Sequence, residues 1–138
     1  MPIIQYHAPL RRLLRESRTV AVIGISPDPA RPSHFVSGVV KRCGFEMHLI
    51  NPRYAGREIL GEKVLASIRE APGKIDIVNV FRRPEDVPTT AREAEEKGFA
   101  TFWLQPGTEN QEVITELDLA GYNVVFGLCI KTCCQILL

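Results

Sequence analysis

The sequence predicts a single-domain α/β fold built on a doubly wound, five-stranded parallel sheet. Three observations carry this expectation. Five short apolar runs of strand length recur along the chain, separated by stretches whose apolar residues fall at helical spacing. Turn residues punctuate most of these transitions, with Gly24, Asn51-Pro52, Gly98 and Gly127 standing at run boundaries. The length of 138 residues suits one domain whose core needs neither disulfides nor a metal. Strands alternating with helices imply parallel pairing through right-handed crossovers.

The elements follow in order. Leu10, Leu13 and Leu14 among arginines predict a short leading helix. Thr19 to Ile23 reads as a buried strand ending at Gly24. Phe35 to Val40 has helical spacing, and Gly44 is placed as a helix-terminating glycine. Phe45 to Ile50 is a second strand, stopped by Asn51-Pro52. Ile59 to Val64 predicts a small turn or strand, and Val64 to Arg69 a short helix closed by Pro72-Gly73. Ile75 to Phe81 is a third strand, and Pro84 to Lys97 a helix with proline in its first turn and Gly98 past its end. Phe99 to Leu104, Asn110 to Ala120 and Asn123 to Phe126 read as strand, helix and strand. Ile130 to Leu138 is expected to be a last short helix, its apolar tail Ile136-Leu137-Leu138 packing internally or against a second copy. The whole is a Rossmann-like arrangement, whose ligands bind outside the carboxyl ends of the strands.

Composition narrows the function. A net charge of +1 gives no global field toward nucleic acid or an anionic membrane, so any basic patch must be local. No apolar run reaches the length of a membrane span, and the opening residues contain no signal-peptide core. A cytoplasmic protein with reduced thiols is expected. Cys129, Cys133 and Cys134 form neither a CxxC motif nor a zinc ligand set.

The strand ends are more telling. Gly24-Ile25-Ser26 with Arg31 and Ser33 follows the first strand, Asn51-Pro52-Arg53 the second, Phe81-Arg82-Arg83 the third, Gln105-Pro106-Gly107 the fourth and Gly127-Leu128-Cys129 the fifth. Three of these five ends carry arginine, and Asp28 is the one acid among them, which suggests an anionic ligand. Gly24 is expected to let backbone approach a phosphate, and Ser33 to cap the next helix so that free N–H groups face the anion. The sequence keeps only the first glycine of a dinucleotide fingerprint, and Arg53 stands where an acid would hold an NAD ribose. An arginine there suits an extra ribose phosphate, as in NADP or in the 3′-phosphate of coenzyme A. No P-loop run is present.

These residues resemble those of the stand-alone CoA-binding domain proteins, which are similar to the N-terminal CoA-binding domain of the succinyl-CoA synthetase α subunit. The matching segments are Val20 to Ser26, Asn51-Pro52, Ile59 to Glu62, Asp76 to Pro84 and Trp103 to Gly107, spread between about Thr19 and Cys129. The resemblance implies coenzyme A along the strand ends. Gly24, Ile25 and Ser26 would face the pyrophosphate, with Arg31 and Ser33 adding donors. Asn51, Pro52 and Arg53 would lie near the adenosine and its 3′-phosphate, Phe81, Arg82 and Arg83 would line the adenine or phosphate side, and Gln105 would close the crevice. The family often carries a polar or basic residue before the cysteine that follows the last strand. Gly127-Leu128-Cys129 has none, so the resemblance does not carry that contact over to this end of the sheet.

The synthetase's ligase chemistry needs a further domain with a phosphorylated histidine and a partner subunit, so the resemblance implies binding rather than catalysis. No metal site or catalytic residue is expected. His48 reads as a packed or edge residue, His7 as a residue near a mobile terminus and His34 as a helix-start residue, with donation to a phosphate the alternative. Glu93, Glu95 and Glu96 read as a solvated helix face. Cys129 is expected to be a buried, inert thiol, with a mixed disulfide to the thiol of CoA as the sharper alternative. The leading expectation is a CoA- or acyl-CoA-binding carrier, sensor or partner subunit, possible as a homo-oligomer. Against it stand a small NADP-dependent oxidoreductase and an interaction domain with a vestigial pocket.

Overall fold

A computed structural model describes residues 7–138. Seven strands and five α-helices follow the predicted order: α1 (His7–Glu16), β1 (Thr19–Ile23), α2 (Pro32–Arg42), β2 (Glu46–Ile50), β3 (Glu58–Ile59), β4 (Glu62–Lys63), β5 (Ile75–Val80), α3 (Val87–Lys97), β6 (Phe99–Leu104), α4 (Gln111–Leu119), β7 (Asn123–Phe126) and α5 (Ile130–Leu137). Five strands form one parallel sheet in the order β2-β1-β5-β6-β7. The chain grows outward from β1 to β2, then crosses back to place β5 on the other side of β1. The topological switch point therefore lies between β1 and β5, where loops part and a crevice opens. The fold is the predicted doubly wound, Rossmann-like one.

Alternate residues of each strand feed two cores. On one face Val20, Val22, Leu49, Ile77, Trp103 and Val125 pack against Leu10, Leu13 and Leu14 of α1, Val36 and Val40 of α2, and Cys133, Cys134 and Leu137 of α5. On the other, Ala21, Val78, Val80, Phe102, Leu104 and Val124 pack against Ala91 and Ala94 of α3 and Val113, Ile114 and Leu117 of α4. Both faces are covered, which is why the strands read as nearly continuous apolar runs. At the amino ends, the Asp76 carboxylate accepts from the Arg18 and Thr19 N–H groups at 2.8 and 3.1 Å and clamps β5 to β1.

Several expectations are corrected locally. Helix α2 begins at Pro32 rather than Phe35, because proline at the first helical position is preorganised for the turn. Residues 64–69 form no α-helix: Leu65 bridges Ile50 in parallel, and the 3-10 turn Ile68–Glu70, capped by Ser67, is all the helix there is. Strands β3 and β4 pair as a hairpin whose central residues Leu60 and Gly61 both have positive φ, 53° and 78°. Pro84–Asp86 form a 3-10 turn, so α3 starts at Val87. His7 opens α1. Of the apolar tail, Leu137 packs into the core while Ile136 and Leu138 are exposed. Among the described residues no helix is long and apolar enough to cross a membrane.

Trp103 joins the two ends of this design. Its ring is fully buried, and its indole N–H donates to the Leu128 carbonyl at 2.9 Å, fixing the loop that leads into α5. Trp103→Ala should lower unfolding free energy by about 3–5 kcal/mol, measured by urea titration.

Candidate functional site

The carboxyl ends of β1, β2, β5 and β6, with the starts of α2 and α5, enclose an open cleft of about 750 Å³. Its size lies within the range of small-molecule sites. A second hollow of about 680 Å³ sits at the opposite end of the sheet and mixes Arg15 and Arg18 with Glu46. The first stands at the switch point. It is lined by eleven of the twelve predicted site residues: Gly24, Ile25, Ser26, Arg31, Ser33, Asn51, Pro52, Arg53, Phe81, Arg82 and Gln105. Arg83 is the exception. It is three-quarters exposed and turns to Asp86, 3.2 Å from its carboxylate.

Gly24 holds the switch point together, for a reason the sequence did not show. Its φ is 95°, and a Cβ there would drive into the Phe81 carbonyl oxygen. Glycine is demanded by the backbone at Phe81, just past the end of β5. The turn's main-chain donors are also engaged. The Gly24 and Ile25 N–H groups donate to the Ile50 carbonyl at 2.9 and 3.4 Å, and the Ser26 N–H donates to Ser33 Oγ at 3.0 Å.

Ser33 therefore does not cap α2. Pro32 at the first helical position makes Arg31 the cap residue, without a side-chain cap bond, and Ser33 fastens the loop instead. The His34 and Phe35 N–H groups both return to the Arg31 carbonyl, so they do not face the cleft as free donors. His34 lies outside the lining, its Nδ1–H donating to the Ser26 carbonyl at 2.9 Å. His48 is mostly buried on β2, its Nε2 3.2 Å from the Glu46 carboxylate.

Two further predicted residues brace the cleft. Asn51 Nδ2 donates to the Ile25 carbonyl at 2.9 Å while its Oδ1 accepts from the Arg53 N–H at 3.0 Å. Gln105 is buried; its Oε1 accepts from the Ile130 N–H at 3.0 Å and its Nε2 donates to Cys129 Sγ at 3.4 Å. Ser33, Asn51 and Gln105 thus fix the loops. The hydroxyls of Ser26 and Ser33 accept internally and keep a proton to donate to an anion.

The charge is in the side chains around this frame. Arg31, Arg53, Arg82 and Lys131 line the cleft, and no carboxylate does. Arg82 reaches Asp86 only at 3.7 Å, and its buried Nε has no acceptor among the described residues. Sequence reasoning missed Lys131, which lies 6.0 Å over the Phe35 ring. It also missed Phe35, Tyr54 and Thr108. The segment after β7 reaches the cleft through Cys129 and Lys131. The signal was available in the lysine two residues beyond Cys129, at the start of an amphipathic last helix. Cys129 is itself half-buried, not the buried thiol expected.

The cleft at the switch point of the parallel sheet is thus basic and free of carboxylates. The model of the family described as CoA binding domain matches residues 18–135, and the chain belongs to that family. It is similar to the uncharacterised protein YneT of Bacillus subtilis (strain 168), 41% identical over 124 residues and 90% of each chain. Among solved structures, cell-free ID.343 from Thermus thermophilus superposes with a TM-score of 0.92 at 31% identity, over 97% of this chain and all of that one. A hypothetical protein from Pyrococcus horikoshii OT3 gives 0.91 at 28%, over 96% and 92%.

Gly24→Ala should destabilise the fold by about 2–4 kcal/mol, combining positive-φ strain with overlap on Phe81. Chemical denaturation checks this, with Gly44→Ala as a control that shares the positive φ but meets no atom within 4 Å.

Proposed function

We propose that this chain binds coenzyme A, or an acyl-CoA, in the cleft at the strand ends and acts as a non-catalytic carrier, sensor or partner subunit. One observation carries the reading. In a chain of net charge +1, four cations and no carboxylate converge on one cleft, in a member of the CoA-binding domain family. Such a field suits a ligand with a pyrophosphate and a ribose phosphate. Arg31, Arg53, Arg82 and Lys131 would take the phosphates, with the Ser26 and Ser33 hydroxyls as added donors. Phe35, Val36, Tyr54 and Phe81 offer apolar surface for the adenine and the pantetheine arm. Gly24, Ile25, Asn51, Pro52 and Gln105 would shape the walls. Arg83 would act only through the outer field. Coenzyme A would supply an acyl-carrying thiol; the chain's own residues would bind it, orient it and exclude water from one side.

Among the described residues the lining holds no histidine and no carboxylate, so proton transfer there would fall to Tyr54, Lys131 or Cys129.

A thermal-shift panel of CoA, acetyl-CoA, NADP, NAD and ATP tests the proposal. At a hundredfold excess over Kd, a true ligand should stabilise the fold by about 2.7 kcal/mol, on the order of 10 °C in Tm. The expected result is a shift with CoA or acetyl-CoA exceeding that with NADP. A shift with NADP alone would overturn the proposal, and no shift with any ligand would favour an interaction domain with a vestigial pocket. Calorimetry on Arg82→Ala and Arg53→Ala should show CoA affinity weakened by about tenfold to a hundredfold each.

A further inference from the structure

The four cysteines all lie on α2 and α5 or at their ends, yet they occupy different environments. Cys133 and Cys134 face the core, and burial pushes both thiols up, that of Cys134 to about 12 with Cys43 and Cys133 adding to the effect. Cys43 is exposed at the end of α2, about 10 Å along the helix from Val36, the last cleft residue of that helix, at 1.5 Å per residue. Cys129 alone lines the cleft.

Its sulfur is held in place. Gln105 Nε2 donates to Sγ at 3.4 Å, and Gln105 is itself anchored by the Ile130 N–H. The same lining carries the Arg82 guanidinium, whose nearest carboxylate, that of Asp86, is 3.7 Å away. A positioned sulfur and a guanidinium thus share one cleft. Coenzyme A matches both ends of that arrangement, with phosphates at one end and a thiol at the other.

We propose that Cys129 is the site of a mixed disulfide with coenzyme A, formed by exchange with the disulfide of CoA. The inference rests on the CoA-binding reading. Cys129 loses its proton to solvent, and its thiolate attacks one sulfur of the CoA disulfide. The S–S bond between the two CoA molecules breaks as the Cys129–CoA bond forms. The second CoA leaves as a thiolate and takes up a proton. One disulfide is consumed and one is made, so the step needs no further oxidant. Cys133 and Cys134, kept protonated by burial, are poor nucleophiles for displacing the bound CoA. The adduct therefore persists until a soluble thiol reduces it, and the cleft holds CoA in a form that responds to redox conditions.

The test uses the full chain at pH 8, exposed to CoA disulfide or to glutathione disulfide at equal concentration, quenched with acid, and read by intact mass and peptide mapping. The expected product is one CoA per chain on Cys129. It should form at least about tenfold faster than the glutathione adduct, because binding positions the reacting sulfur. Adenosine 3′,5′-bisphosphate, a fragment of CoA without a thiol, should slow it, and dithiothreitol should reverse it. Cys129→Ser should abolish the adduct and Cys43→Ser should keep it. Equal rates for the two disulfides, modification of Cys43 in place of Cys129, or no adduct would overturn the inference. Calorimetry of reduced CoA with the wild-type chain in dithiothreitol separates the two readings. Saturable binding without an adduct sinks this inference and leaves CoA binding standing. No binding sinks the CoA-binding reading and this inference with it.

Discussion

The fit of Gly24 against the Phe81 carbonyl sets the geometry on which the strand ends depend. At that point the chain leaves β1, with φ at 95°, and has no room for a side chain. The Gly24 N–H reaches across to Ile50 at the end of β2, while the Phe81 N–H returns to Ile23 at 2.9 Å. Three strands are locked together by two hydrogen bonds and one missing methyl group. Because β2 and β5 flank β1 on opposite sides, the loops that follow diverge, and the cleft is the space they leave. Arg31, Arg53 and Arg82 arrive there from three different loops.

The frame and the charge are divided between different side chains. Asn51, Ser33 and Gln105 are short or buried polar groups whose donors and acceptors meet main-chain atoms of neighbouring loops. Such satisfied groups hold a site still and lower the ordering cost of binding. The cations are longer and more loosely held. Arg82 touches its nearest carboxylate at only 3.7 Å, and Arg53 extends beside Tyr54, 5.7 Å from the ring centre. Four like charges around one cleft repel one another, and an anion placed among them relieves that repulsion. Membership of the CoA-binding domain family agrees with this division of labour.

Most of the fold was legible because each strand of the parallel sheet is a mainly apolar run, and turn residues such as Gly24, Asn51-Pro52 and Gly127 close several of them. The errors fall where segments are short. Residues 64–69 have the apolar spacing of a helical turn, but Leu65 finds a partner in Ile50 and stays extended. Ser33 looks like a cap in sequence, yet Pro32 moves the helix start upstream and leaves its hydroxyl to the Ser26 N–H. Arg83 is as basic as Arg82, and one residue of phase turns it outward to Asp86. Lys131 and Phe35 were missed because they reach the cleft from helix starts, not from strand ends.

By itself the sequence determined the strand order of appearance, the run of arginines at the strand ends, and the shortage of acids among them. These are local properties, set by apolar runs, turn residues and composition. Only the tertiary structure decided that Gly24 is required by Phe81, that Ser33, Asn51 and Gln105 act as braces, that Arg83 leaves the site, and that Cys129 opens on the cleft while Cys133 and Cys134 do not. Each of those depends on how close two distant segments come and at what angle. That is fixed by the packing of both sheet faces against their helices, and no single segment encodes it.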